Sequence, residues 1–450
     1  MKTRTLIFTA GACAVLLVAA SPGLAQDDTF YFWRWGHMDG PHDSSKALGI
    51  SRDGHTAVGT TVVVDFTRAW RSDIDWAIAT DDGVPPLFNE LQVQEDMGVV
   101  APSRPSAAYA ASDMTTDSCS YDKLAGNLDW CGSTAVGTYE VGTVSYGIQW
   151  LLAVLDSVDE GDYATIPDFG GGLSDMAMMD ASADGLIVVG YGNNQRGLKA
   201  FRADMTDPLL PVVQEMAITD FVSGQALRYS SAQAVSADGM IIAGYGGTKQ
   251  GARAFVSTVL DATTDPITLE SYVLPMLGGG KFAEAYAMTP DGAIIAGRSD
   301  SPKGPVACIW FIDGDTGEWV VKQLGAGALA KKNKDAAATG IAYRVGDTVG
   351  DLIVVGYSNT VLYDSEAFVW TGNPVVEDDE IGYFYDLEYI LTKTGTGELS
   401  GMGSEWILNE ATGISAAGDR IVGWGINPEG GVEAWVVTGF PTDELVFTHD

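Results

Sequence analysis

A ten-residue pattern returns along the chain, and a return at regular spacing limits the possible folds more than composition can. Three copies are clear: Ser182-Ala-Asp-Gly-Leu-Ile-Val-Val-Gly190-Tyr, Ser236-Ala-Asp-Gly-Met-Ile-Ile-Ala-Gly244-Tyr and Thr289-Pro-Asp-Gly-Ala-Ile-Ile-Ala-Gly297-Arg. Weaker copies end at Gly59, Gly137, Gly356 and Gly423, which makes seven. Successive glycines lie 78, 53, 54, 53, 59 and 67 residues apart. Ten or eleven residues after each glycine stands a second marker: Ala69-Trp70, Gly147-Ile-Gln-Trp150, Ala200-Phe201, Ala254-Phe255, Ala307-Cys-Ile-Trp310, Ala367-Phe-Val-Trp370 and Ala434-Trp435. Two markers in constant phase define one structural unit.

Each unit reads as four short strands. In the third, the run up to Ser182 is one strand, and Asp184-Gly185 suits a type I′ hairpin turn, which needs positive φ at both central positions. Leu186 to Tyr191 and Leu198 to Arg202 follow, and a stretch such as Thr165 to Phe169 or Tyr272 to Leu277 makes the fourth. The second strand is apolar on consecutive residues, so both of its faces are covered and it lies between neighbouring sheets. The glycine at its end marks a place where another group crowds in and a Cβ would clash.

Seven such units, none able to bury two faces alone, predict an all-β fold: a seven-bladed β-propeller of four-stranded antiparallel blades. The termini carry the same logic. Thr29-Phe-Tyr-Phe-Trp-Arg-Trp35 resembles a fourth strand with no first three before it, and the last unit supplies three strands ending near Val437. The ring is then closed by the N-terminal strand joining the C-terminal blade. An open solenoid is the alternative, and it has no need of that leftover strand.

The chain begins Met-Lys-Thr-Arg, continues apolar from Leu6 to Ala20 and reaches small residues up to Ala25. A basic start, a short greasy middle and a small-residue cleavage point describe a signal peptide over residues 1–25. The run is too short for a spanning helix, and Cys13 lacks the flanking pattern of a lipoprotein site. Residues 26–450 then form a single domain. The whole chain has 25 basic and 60 acidic residues, a formal charge of −35. Losing Lys2 and Arg4 makes the mature chain −37. Such a surface repels phosphate backbones and anionic lipid, which argues against nucleic acid as a partner. No later stretch is apolar for 18 residues, so no membrane span is expected.

The alternation of Ser-Ala-Asp-Gly, Val-Val-Gly-Tyr and Ala-Phe over most of residues 46–438 resembles the extracellular HAF repeat, a bacterial secreted repeat named for a His-Ala-Phe triplet. Here the His position is held by Lys199, Arg253 or Glu366. The resemblance implies export, to the cell exterior or the periplasm, and a propeller-like repeat; it brings no catalytic residues with it.

Cysteine placement agrees with export. Cys119 and Cys131 bracket an insertion, 114–130, where other units have a tight turn, so a disulfide between them is expected. Ligation of a metal by these two alone is the weaker reading. Cys308 occupies the slot of Phe201, Phe255 and Phe368, which makes it a core residue rather than a nucleophile. Trp70, Trp150, Trp310, Trp370 and Trp435 fall in the core strand, whereas Trp130 lies in the insertion, packed over the disulfide or exposed to stack on a sugar.

Catalytic patterns are sparse. The chain has no Gly-x-Ser-x-Gly, no Walker loop and no His-Glu-x-x-His. Its histidines are His37, His42, His55 and His449. His37, Asp39, His42 and Asp43 cluster in a linker that reads better as a polar turn than as a metal site. Asp313-Gly-Asp315-Thr-Gly317-Glu318 starts like a calcium loop but is too short, and a hairpin turn is the better reading. No catalytic, cofactor or metal residue is therefore assigned, and calcium is left without a position.

Two functional classes follow. The first is a secreted, non-catalytic binding or surface-interaction module, a monomer whose insertions at 114–130, 343–350 and 371–405 recognise an extracellular protein or glycan. The second is a hydrolase or lyase acting on polysaccharide or a small ester in the central funnel, using paired carboxylates. A funnel lined by Ala, Val and Gly alone would exclude the second.

Overall fold

In the computed structural model, the described residues are 31–36, 44–63, 66–73, 95–96, 105–113, 134–141, 144–151, 163–166, 175–194, 197–207, 210–249, 251–264, 267–302, 304–324, 335–344, 351–359, 365–374, 382–394 and 406–440. They form seven four-stranded antiparallel sheets. The innermost strands of blades 1 to 7 are Ser44–Ile50, Ser106–Ala111, Ala177–Ala181, Ser230–Val235, Ala283–Met288, Ala336–Tyr343 and Ile407–Ile414. Within blades 1 to 6, the strands run outward in chain order. The outermost strand of blade 7 is Tyr31–Gly36, which pairs antiparallel with Val432–Thr438, Tyr31 opposite Thr438 and Arg34 opposite Trp435.

Burial explains the ring. Each of seven apolar clusters draws on two adjacent blades: Met178 and Phe201 of blade 3 pack with Val136 of blade 2, for example, and Trp70 and Ala47 of blade 1 pack with Val422 and Val436 of blade 7. A single blade would leave both faces of its middle strands in water, so the blades fold as a set. No described helix is long and apolar enough to cross a membrane.

The repeat glycine has a uniform cause. Every innermost strand carries a β-bulge at the same step, between Ala47 and Gly49 in blade 1 and between Ala232 and Ala234 in blade 4. The carbonyl of the residue two before the bulged one points at the glycine on the second strand. A Cβ on Gly59, Gly137, Gly190, Gly244, Gly297, Gly356 or Gly423 would lie 1.9–2.1 Å from that oxygen. On the third strand the residue opposite the glycine is Trp70, Ile148, Phe201, Phe255, Cys308, Phe368 or Trp435. Crowding at the glycine therefore comes mainly from its own blade. Cys308 fills the aromatic slot and is fully buried, which raises its thiol pKa well above the ordinary value.

The Ser-x-Asp-Gly turn differs from the expected type I′ form. Ser182 N donates to Ile187 O and Gly185 N to Ser182 O, so four residues rather than two connect the strands. The Ser182 hydroxyl donates to Asp184 Oδ1 at 2.5 Å and accepts from Ile187 N. Gly185 takes the left-handed φ of 70°. Serine at the first position supplies a hydrogen bond that a two-residue turn has no room for. The outermost strands also begin earlier than their apolar residues suggest. In blade 4 the strand is Thr268–Val273, and Leu274 and Leu277 turn inward to the blade 4/5 core instead.

One helix, Leu387–Thr394, interrupts the expected all-β order inside the 371–405 insertion. Asp386 caps it, accepting from Glu388 N and Tyr389 N, and Leu387, Ile390 and Leu391 bury one face at i, i+3 and i+4 beside Trp406.

Two outcomes are expected. Gly244→Ala lowers unfolding free energy by about 3 kcal/mol or more, whereas Gly314→Ala, with nothing within 4 Å of the new Cβ, changes it by less than about 0.5 kcal/mol; urea titration reads both. Burial, followed by Asp386 and Glu366, raises the Glu388 carboxyl from 4.5 to about 7. The folded chain therefore holds a proton there that the unfolded chain has released, so this group's contribution to stability falls as pH rises from about 4.5 to about 7. Glu388→Gln removes that part of the slope in unfolding curves taken across this range.

Candidate functional site

The seven bulges have a second effect: each aims the bulged side chain at the ring axis. Leu48, Tyr109, Met179, Gln233, Tyr286, Thr339 and Thr412 all line one axial cavity of about 300 Å³. The next residue is Gly or Ala in every blade except blade 3, which has Asp180. The funnel is thus not confined to Ala, Val and Gly, and the criterion set against an enzyme is not met.

Toward the Ser-x-Asp-Gly turns, Arg52 closes the cavity. Every other Ser- or Thr-x-Asp-Gly copy has Ala or Pro there: Ala183, Ala237 and Pro290. The Arg52 guanidinium donates to Ala181 O of blade 3 and Val235 O of blade 4, both at 2.7 Å, with Asp180 Oδ2 3.7 Å away. Asp180 also accepts from Ala181 N and Val235 N. Burial raises its pKa, and Arg52 with the two backbone donors opposes the shift.

Around Arg52 the turns are linked blade to blade. Ala416 N donates to Arg52 O, Asp53 N to Asp113 Oδ1, Asp113 N to Ala183 O, Ala183 N to Ala237 O, and Ala237 N to Pro290 O. The run passes from blade 7 through blades 1–4 to blade 5 and stops at Pro290, which has no N–H. There Tyr343 of blade 6 reaches back instead, donating to the Asp291 carboxylate.

The opposite end is an aromatic and charged collar. The residue after each repeat glycine faces, across the ladder, the residue two before the bulged one. The pairs are Lys46 with Thr60, Ala107 with Thr138, Ala177 with Tyr191, Ser231 with Tyr245, Glu284 with Arg298, Ala337 with Tyr357 and Glu410 with Trp424. Tyrosine occurs where the inner partner is small.

Over blades 5 to 1 the collar's charges are matched. Arg298 pairs with Glu284 at 2.7 Å and with Asp335 at 3.4 Å, and Tyr286 donates to the Glu284 carboxylate. Glu410 accepts from Trp424 Nε1 at 3.1 Å, and Lys46 Nζ stands 3.7 Å from the Trp424 ring centroid. Burial raises the Glu410 pKa against the pull of Trp424 and Lys46.

These axial residues were not singled out from the sequence. The tyrosine after the repeat glycine was legible as part of the pattern but read as core, and the bulge left no composition signal. Cys119, Cys131, Trp130, His37, Asp39, His42 and Asp43 lie outside the described residues. Asp313–Glu318 is a hairpin turn: Asp313 Oδ1 accepts from Thr316 N, Thr316 Oγ1 and Asp315 N. Bonds from Thr316 are the main reason its carboxyl lies below the usual range. No group of three or more metal-ligating side chains occurs among the described residues.

No protein-family model and no curated protein matches the chain. Among solved structures, TolB from Acinetobacter baumannii is 12% identical over 85% of this chain and 80% of its own, with a TM-score of 0.35. Prolyl oligopeptidase B from Galerina marginata is 10% identical over 89% of this chain and 50% of its own, with a TM-score of 0.49. The Dos1 propeller is 10% identical over 90% of this chain and 95% of its own, with a TM-score of 0.39. At these values the similarities bear on neither ligand nor reaction.

Replacing Arg52 with Met keeps an unbranched apolar stem while leaving two carbonyls and Asp180 without its charge. A loss of about 3 kcal/mol in unfolding free energy is expected, and the Arg52→Met/Asp180→Ala double variant should recover part of it in the same denaturant titration.

Proposed function

We propose that this chain is a secreted, non-catalytic β-propeller, an extracellular binding module of the HAF-repeat kind, that takes its ligand at the collar end of the ring axis. The observation that supports this reading most directly is the state of the axial carboxylates. Asp180 is engaged by Arg52 and two backbone N–H groups, and Glu284 by Arg298 and Tyr286. Tyrosines with two-sided chemistry, an apolar ring and a polar tip, are suited to binding at a rim. A hydrolase remains the second reading because Glu410 lines the cavity with a raised pKa, as a general acid requires.

The same reading gives the N-terminal strand the task of closing the ring. Phe32 packs edge-on against Trp406, with ring centroids 5.2 Å apart, and Arg34 Nε donates to the fully buried Glu433 at 2.9 Å. A leader over residues 1–25 would end a few residues before this strand, so removal of the leader leaves the clasp intact.

Thermal unfolding of the protein against calcium, soluble glycans and charged small molecules tests the function. A compound that binds only the folded state at 100 times its Kd adds about 2.7 kcal/mol. The shift should vanish in Tyr109→Ala and survive in Leu210→Ser, which is remote from the axis. Turnover of any such compound that Glu410→Gln abolishes would instead establish the hydrolase. For the clasp, Arg34→Met should cost about 2 kcal/mol, less than a wholly buried pair because Arg34 is 37% exposed.

A further inference from the structure

The collar has two unlike arcs. Over blades 5 to 1, each aromatic side chain stands beside a carboxylate and a cation supplied by the chain itself. Lys46 lies over Trp424 next to Glu410, and Arg298 lies 5.8 Å from the Tyr286 ring centroid while pairing with Glu284. This is the arrangement in which a cation gains from both a ring face and an anion.

Over blades 2 to 4 tyrosines recur, and among the described residues no Lys or Arg lies over the rings of Tyr109, Tyr191 or Tyr245. Tyr191 and Tyr245 hold the collar position that Arg298 and Trp424 hold elsewhere, and Tyr109 projects from its bulge into the cavity beneath. Carboxylates act on all three phenols. After burial, the Tyr191 phenol and then Glu140 suppress ionisation of Tyr109, Asp175 that of Tyr191, and Glu284 followed by the Tyr191 and Tyr229 phenols that of Tyr245. Glu140 and Asp175 are exposed, and Ser145 brings them together, facing Glu140 across the ladder and bridging to Asp175. Below them Met179 and Leu48 give the cavity an apolar side, suited to a hydrocarbon stem.

We propose that the arc formed by Tyr109, Tyr191 and Tyr245 with Glu140 and Asp175 binds an organic cation, an ammonium or guanidinium group on an apolar stem such as a lysine or arginine side chain of a partner. This rests on the reading of the collar end as the binding face. The chain's charge of −35 draws such a group in from solution and repels anions.

Calorimetry on the full chain at low salt tests it with N-acetyl-arginine amide against its neutral isostere, N-acetyl-citrulline amide. The cation should bind at least about tenfold more tightly than the isostere, and more weakly as salt rises. Glu140→Gln/Asp175→Asn, both at exposed positions, should weaken the cation by about fivefold and flatten its salt dependence. Tyr191→Ala should weaken it about tenfold, while Tyr191→Phe, which keeps the ring, stays within about twofold. Equal affinity for the two probes, no binding of the cation, or unchanged binding in the acid-neutralised variant overturns the inference. A neutral glycan that binds the wild type and is lost in Tyr109→Ala, with no cation bound, overturns the cation but leaves the axial binding face standing. Ligand binding insensitive to every axial variant overturns both.

Discussion

A carbonyl oxygen held over a glycine is the contact on which this structure turns. In each blade the inner-strand bulge rotates one peptide so that its oxygen lies where a second-strand Cβ would be, 1.9–2.1 Å away if one were built. The bulge cannot form unless that position is glycine, and without the bulge the next side chain would not face the axis. One steric requirement therefore fixes both where glycine stands in each unit and which positions line the cavity. The opposing Trp, Phe, Ile or Cys of the third strand fills the remaining side of the same gap.

The two ends of the axis are built differently. At the turn end, bonds from backbone N–H groups link blade 7 through blades 1–4 to blade 5, and Arg52 spans from blade 1 to blades 3 and 4. At the collar end, contacts are made by side chains on the rim, and these vary from blade to blade: Thr60, Thr138, Tyr191, Tyr245, Arg298, Tyr357 and Trp424 share one structural position. Repeats keep the frame constant while a single position per blade changes the chemistry presented.

How much of this was legible follows from what leaves a trace in composition. The seven units, the four-stranded blade and the core role of Cys308 were readable because glycine and aromatic spacing is imposed by packing. The turn was misjudged because Asp-Gly alone does not report the serine two residues earlier in Ser182-Ala-Asp184, whose hydroxyl lengthens the loop. The helix at Leu387–Thr394 was missed because eight residues between strands give little periodicity. The axial site was invisible for a different reason: Leu48, Tyr109, Met179, Gln233, Tyr286, Thr339 and Thr412 have nothing in common except a backbone irregularity, and a bulge is a property of pairing rather than of residue type.

Pro290 sets blade 5 apart. Where Ala183 and Ala237 each pass a backbone N–H to the next blade, it has none to give, and beside the shared apolar cluster the polar contacts with blade 6 are the Tyr343 phenol on Asp291 and Arg298 reaching Asp335. Backbone bonds survive almost any change of sequence; these do not. A single substitution at Tyr343 or Asp291 thus removes a polar link between blades 5 and 6 that no backbone bond at Pro290 replaces, while the apolar cluster shared by the two blades stays in place.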